Sequence, residues 1–95
     1  MEEYVLKGVV LLDSKLPGWE DHIDWDTLDI WSVSKCIIGQ LNQALDIETF
    51  DVLGFEGGYV EGRQYGFDVP DPAKNHYEEL NTAWQDWHKH HRMHV

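Results

Sequence analysis

Basic residues, cysteine and long apolar runs are what this chain lacks. Seven Lys and Arg stand against eighteen Asp and Glu in 95 residues, a formal charge of −11. Gripping nucleic acid by phosphate neutralisation needs clustered basic side chains, so direct nucleic-acid binding is not expected, and neither is a polybasic membrane anchor. No apolar run approaches the ~20 residues of a membrane span, and Met1-Glu2-Glu3 is not how a secretory signal begins. The one cysteine, Cys36, has no intramolecular disulfide partner, so the expectation is a cytoplasmic chain. Internal repeats and low-complexity tracts are missing too, and the length suits a single domain, residues 1–95, around one core.

Apolar residues make up 42% of the chain and aromatic residues 13%, enough to offset the ordering entropy of a globular fold. Tyr4, Val5, Val9, Leu12 and Leu16 follow a period near 3.6 and predict a helix over about Glu3–Lys15, stopped by Pro17-Gly18. Val9-Val10-Leu11-Leu12 also fits a buried strand, and only length favours the helix. Trp19–Trp31 holds five carboxylates and three tryptophans. Its aspartates disfavour a helix interior, so the stretch predicts a short turn or irregular wrap with Ile23, Leu28 and Ile30 inward. Ser32 or Ser34 is placed to cap a helix over about Val33–Leu45, with Ile37, Leu41 and Ala44 on its apolar stripe beside Cys36 and Ile38. Gly39 there suits close helix packing. A short helix over about Ile47–Leu53 follows, with Ile47, Phe50 and Leu53 in period. Five glycines from Gly54 to Gly66 then predict a loop, or at best a small irregular hairpin using Tyr59, Val60 and Tyr65, anchored at its far end by Phe67 and Val69. Asp71 as N-cap and Pro72 at the first helical position open a last helix running to about His91. Its seam is Tyr77, Leu80, Trp84, Trp87 and His91. The fold class is all-α, one small domain of three to five helices with a Gly-rich loop.

Three groupings are candidates for chemistry. His88, His90, His91 and His94 include pairs three and four apart on a helix, a spacing that can offer two imidazoles to Zn²⁺. Two ligands are not a site, and the further ones would have to come from Cys36 or His22. Positive character at a helix C-terminus, shared with Lys89 and Arg92, explains the histidines more simply. Asp24, Asp26 and Asp29 are close enough in sequence for an acid/base pair, but nothing marks them as buried or paired. Cys36 with His22 would make a thiol nucleophile and base, yet a cysteine among isoleucines is more simply a small buried hydrophobe. Gly57-Gly58 lacks the Lys-Ser/Thr sequel of a phosphate loop. The expectation is therefore no catalytic residue, no cofactor and no metal.

Binding is the better expectation. Trp19, Trp25 and Trp31 among carboxylates have the composition of a protein–protein hot spot: large rings for area, charges for orientation. Lids over the edge of the core would explain the same rings. The carboxylates of Glu20, Asp21, Asp24, Asp26 and Asp29, with Asp46, Glu48, Asp51, Glu56 and Glu61, can alternatively imitate nucleic-acid phosphates, or serve only solubility.

Leu11-Leu12-Asp13, Pro17-Gly18-Trp19, Ile23-Asp24, Leu28-Asp29-Ile30 and Cys36-Ile37-Ile38-Gly39-Gln40-Leu41 resemble a pattern in small uncharacterised proteins of actinobacteria and their phages. Tyr65-Gly66-Phe67 and the final Trp-bearing helix are similar to the later part of that pattern. Trp25 and Trp31 depart from it, standing where aliphatic or small residues are expected. The resemblance implies a small cytosolic or phage-encoded domain and carries no catalytic residue. Together these readings predict a non-enzymatic protein-binding module, acting on a host protein if phage-encoded. Its docking set is Trp19, Asp24, Trp25, Asp26, Asp29 and Trp31. The alternative is a nucleic-acid-mimicking inhibitor, and a homodimer through the tryptophans is a further option.

Overall fold

The computed structural model describes residues 1–71, 74 and 76–92, and among them the chain forms five α-helices and two 3-10 turns, with no strand. The all-α expectation holds. Helix α1 (Glu2–Lys15) buries Val5, Val9 and Leu12 along the predicted stripe, which settles Val9–Leu12 as helix. Glu2 and Glu3 occupy its first turn and Lys15 its last, where the macrodipole favours each charge. A Cβ on Gly8 would collide with the Tyr65 carbonyl, so only glycine lets α1 sit this close to the neighbouring turn.

A 3-10 turn, Trp19–His22, follows, and an irregular segment then leads to α2 (Ile37–Leu45). This helix starts later than the expected Val33, and neither serine caps it. Cys36 does, its Sγ accepting the Gly39 N–H at 3.3 Å. The Ser32 and Ser34 hydroxyls pair with each other at 3.2 Å, and Ser32 Oγ also accepts the Lys35 N–H, which holds the preceding residues in a turn. Ile37, Ile38 and Leu41 are buried as expected, but Ala44 faces solvent. Gly39 is indeed at a close approach, though to the Val33 carbonyl of the loop, with which a Cβ would collide, and not to another helix.

Helix α3 (Thr49–Leu53) also starts later than predicted, because the Asn42 side-chain oxygen takes the Thr49 N–H at 2.8 Å and leaves Ile47 in the connecting turn. The glycine-rich stretch is not simply a loop: it holds α4 (Tyr59–Gly62) and a 3-10 turn, Arg63–Tyr65. Ring packing organises it. Tyr59 meets Phe50 edge to face at 4.8 Å between centroids, and Tyr65 meets Phe55 at 5.1 Å, tertiary contacts that a count of glycines ignores. Helix α5 (Tyr77–Arg92) opens with the Leu80 N–H bonded to the His76 carbonyl, not with a cap at Asp71. Pro72, the predicted first helical residue, lies outside the described residues, as does His94.

α1 packs on α5 and on the Arg63–Tyr65 turn, while α2 packs on the Trp19–His22 turn and α3. Val5, Leu12, Trp19, Ile37, Leu41, Phe67, Val69, Leu80 and Trp84 meet in one core. The Trp84 indole donates to the Gly66 carbonyl at 2.7 Å, so its one polar atom is satisfied inside that core.

Candidate functional site

The acidic stretch after Trp19 has little regular backbone bonding, yet its shape is fixed. Two of its aspartates build turns from their own side chains. Asp24 Oδ1 accepts the Asp26 N–H at 3.2 Å, and Asp29 Oδ1 accepts the Trp31 N–H at 3.0 Å. Such bonds offer the backbone an alternative to a helix, which is why the aspartates keep this stretch out of one. Three side-chain amides from neighbouring helices supply the rest. On α2, Gln40 accepts the Asp24 N–H at 2.6 Å and donates to the Asp24 and Lys35 carbonyls at 3.3 and 2.9 Å. On α5, Asn81 accepts the Ile30 N–H at 3.1 Å and Gln85 donates to the Trp25 carbonyl at 2.6 Å. Ile23, Leu28 and Ile30 point into the core beneath, as predicted.

This frame separates the three tryptophans of the stretch. Trp19 is 1% exposed and belongs to the core, so it drops out of the expected docking set. Its ring stacks on Trp87 at 5.5 Å and meets Trp84 edge-on at 6.1 Å, while its indole N–H reaches Asp13 at 2.8 Å. Trp25 is half-buried against the same group, tilted on Trp87 at 6.0 Å and stacked on His88 at 4.0 Å. Trp31 alone turns outward. It is 66% exposed, and Val33 beside it is 75% exposed. Asp24, Asp26 and Asp29 are exposed along the same loop.

Below Trp31 lies a cleft of about 190 Å³ lined by Ile30, Trp31, Ser32, Val33, Cys36, Tyr59, Asp68 and Tyr77. Trp31 stands perpendicular to Tyr77 with centroids 4.4 Å apart. Cys36 Sγ is 3.2 Å from the Tyr59 hydroxyl. Asp68 Oδ1 accepts the Val69 N–H at 2.9 Å, and its Oδ2 lies 3.6 Å from Arg63 Nε. Burial pushes the Tyr59 phenol well above its ordinary range, helped by its hydrogen bond to Cys36 and by the charges of Cys36 and Asp68. Tyr77 is raised too, first by burial and then by its hydrogen bond to Asp68, with Arg63 working the other way.

The cleft joins four separated stretches of chain, so no local motif announces it. Cys36 does not have the expected candidate base His22 as its side-chain partner; that partner is the Tyr59 hydroxyl. A phenol that holds its proton this tightly is a donor at neutral pH, not the base a thiol nucleophile requires. Two histidines of α5 serve its ring packing: His88 stacks on Trp25, and His91 stacks on Trp87 at 4.8 Å while reaching Glu20 at 3.2 Å. Among the described residues, no three His, Cys, Asp or Glu side chains are grouped to hold a metal ion. No helix is long and apolar enough to cross a membrane among those residues either. Comparison with protein-family models, curated proteins and solved structures returns no match.

Proposed function

We propose that this chain is a non-enzymatic protein-binding module whose docking face is the Trp31 end of the acidic loop. One observation carries the reading: a tryptophan and a valine stand exposed on a loop already pinned by Gln40, Asn81 and Gln85. An exposed indole on a floppy loop would lose affinity to ordering, whereas a pinned one has that cost removed before binding. Trp31 and Val33 form the apolar centre of the face, and Asp24, Asp26 and Asp29 its charged rim. The fitting partner offers an apolar socket bordered by Lys and Arg, and the charge of −11 steers such a surface inward from a distance. If the chain is phage-encoded, as its resemblance to phage proteins suggests, that partner is a host protein.

The test is capture of partners from host lysate on wild-type and Trp31→Ala protein, followed by elution in a salt gradient. Retention at high salt and a loss of about 2 kcal/mol of affinity in Trp31→Ala support docking through the indole. Elution of a nucleic-acid-binding protein at low salt, unaffected by Trp31→Ala, replaces this reading with phosphate mimicry. Self-association that Trp31→Ala abolishes makes the face a homodimer interface instead.

A further inference from the structure

We propose that the cleft beneath Trp31 receives a methylated ammonium group, carried on a lysine side chain of the docking partner. The inference rests on the docking reading for the source of that group and deepens it by naming what enters the cleft.

Size comes first. At about 190 Å³ the cleft is below the range of pockets that enclose drug-sized ligands, and suits a single head group. Its walls come next. Three aromatic residues, Trp31, Tyr59 and Tyr77, line it, with Trp31 and Tyr77 at 86° to each other. Aromatic faces carry negative quadrupole charge, which attracts a cation placed against them. Charge points the same way: among the described lining residues the acidic side chain is Asp68, and no basic side chain lines the cleft with it. Arg63 contacts it at 3.6 Å but does not line the cleft.

Hydrogen-bonding capacity then separates the candidate ligands. The Tyr59 hydroxyl is paired with Cys36 and the Ser32 hydroxyl with Ser34. An anion would meet Asp68 and find these donors engaged. A bare ammonium has three N–H donors that would leave water for one carboxylate and the ring faces. A trimethylammonium has none to satisfy. Its spread charge suits the rings and its methyl groups suit Ile30 and Val33.

A short peptide bearing trimethyl-lysine between basic residues is the probe, followed through the NMR indole signal of Trp31. The comparisons are the same peptide with a neutral tert-butyl analogue of that side chain, and free choline. We expect the cationic peptide to bind about tenfold more tightly than the neutral one, and Trp31→Ala or Asp68→Asn to lose about as much. The buried Trp19 and Trp84 signals report whether each variant stays folded. Trp31→Ala removes only an exposed ring, so it keeps the test decisive if Asp68→Asn unfolds. Equal binding of the neutral peptide, no shift at tens of millimolar, or binding unchanged in Trp31→Ala overturns the proposal. Choline binding as tightly as the peptide overturns the assignment to a partner's lysine. Trp31-dependent capture of a partner without peptide binding leaves docking standing and removes only this inference. Peptide binding without any captured partner keeps the cleft's choice of a methylated cation and overturns the docking partner as its source.

Discussion

Trp19 and Trp31 come from the same acidic stretch, with similar neighbours, and meet opposite fates. Trp19 is enclosed by Trp25, Trp84 and Trp87, whereas Trp31 touches Tyr77 and is otherwise largely open. Flanking carboxylates do not decide which ring is buried. What decides is whether α5 presents rings to receive it. Trp84 and Trp87 on one face of α5 do so for Trp19 and Trp25, and Tyr77, near the start of that helix, offers Trp31 a single edge contact. One end of the loop is therefore structure and the other is surface.

Substitutions at the two ends test that division. Trp19→Ala empties the centre of the ring cluster and orphans Asp13, and should cost about 4 kcal/mol in urea unfolding. A loss near that of an exposed residue would show the cluster to be loosely packed. Gly39→Ala drives a Cβ against the Val33 carbonyl and should cost about 2 kcal/mol, with the Trp31 end displaced in NMR spectra and the Trp84 signal little changed. Gln40→Ala removes three hydrogen bonds that tie together Asp24 and Lys35, near the two ends of the loop, and should cost about 1.5 kcal/mol while speeding amide exchange at Asp24.

Alkaline titration probes the Trp31 end separately. Tyr59 and Tyr77 hold their protons more tightly in the folded chain than at the ordinary value of 10.0. Their contribution is whole below that pH and is lost as pH rises past it, because the unfolded chain releases those protons first. Tyr59→Phe should flatten the decline of melting temperature above pH 10, and an unchanged slope would place the alkaline sensitivity elsewhere. Trp31→Ala has the smallest effect on folding, less than about 0.5 kcal/mol in the same urea titration, since an exposed ring loses little when truncated. A larger loss would mean that Trp31 holds the loop in place as well as presenting a surface.

Periodicity made much of the fold readable. The stripe of α1, the Leu80, Trp84 and Trp87 seam of α5 and the inward Ile23, Leu28 and Ile30 all follow from spacing. The caps were less readable. Cys36 caps α2 although sulfur is a weaker acceptor than the oxygens of Ser32 and Ser34, because those hydroxyls are used in the turn before it. The site was readable in part. Trp31 and the three aspartates are exposed as expected, but Trp19 is core and Trp25 half so, since their partners arrive from α5. Tyr59, Asp68 and Tyr77 reach the cleft from stretches whose meeting depends on tertiary packing, and no spacing rule encodes that.

Asn81 and Gln85 hold backbone groups that precede them by 51 and 60 residues. Closures over that distance form late, after local helices have appeared, because the chain entropy they cost must be recovered from contacts already in place. The Trp25 and Ile30 parts of the acidic loop therefore take their final pose only when α5 has been synthesised and docked. A nascent chain still emerging from the ribosome, or one clipped before α5, carries Trp31 without the pose that would make it recognisable. Under the docking proposal, a partner reading this surface would engage finished molecules only.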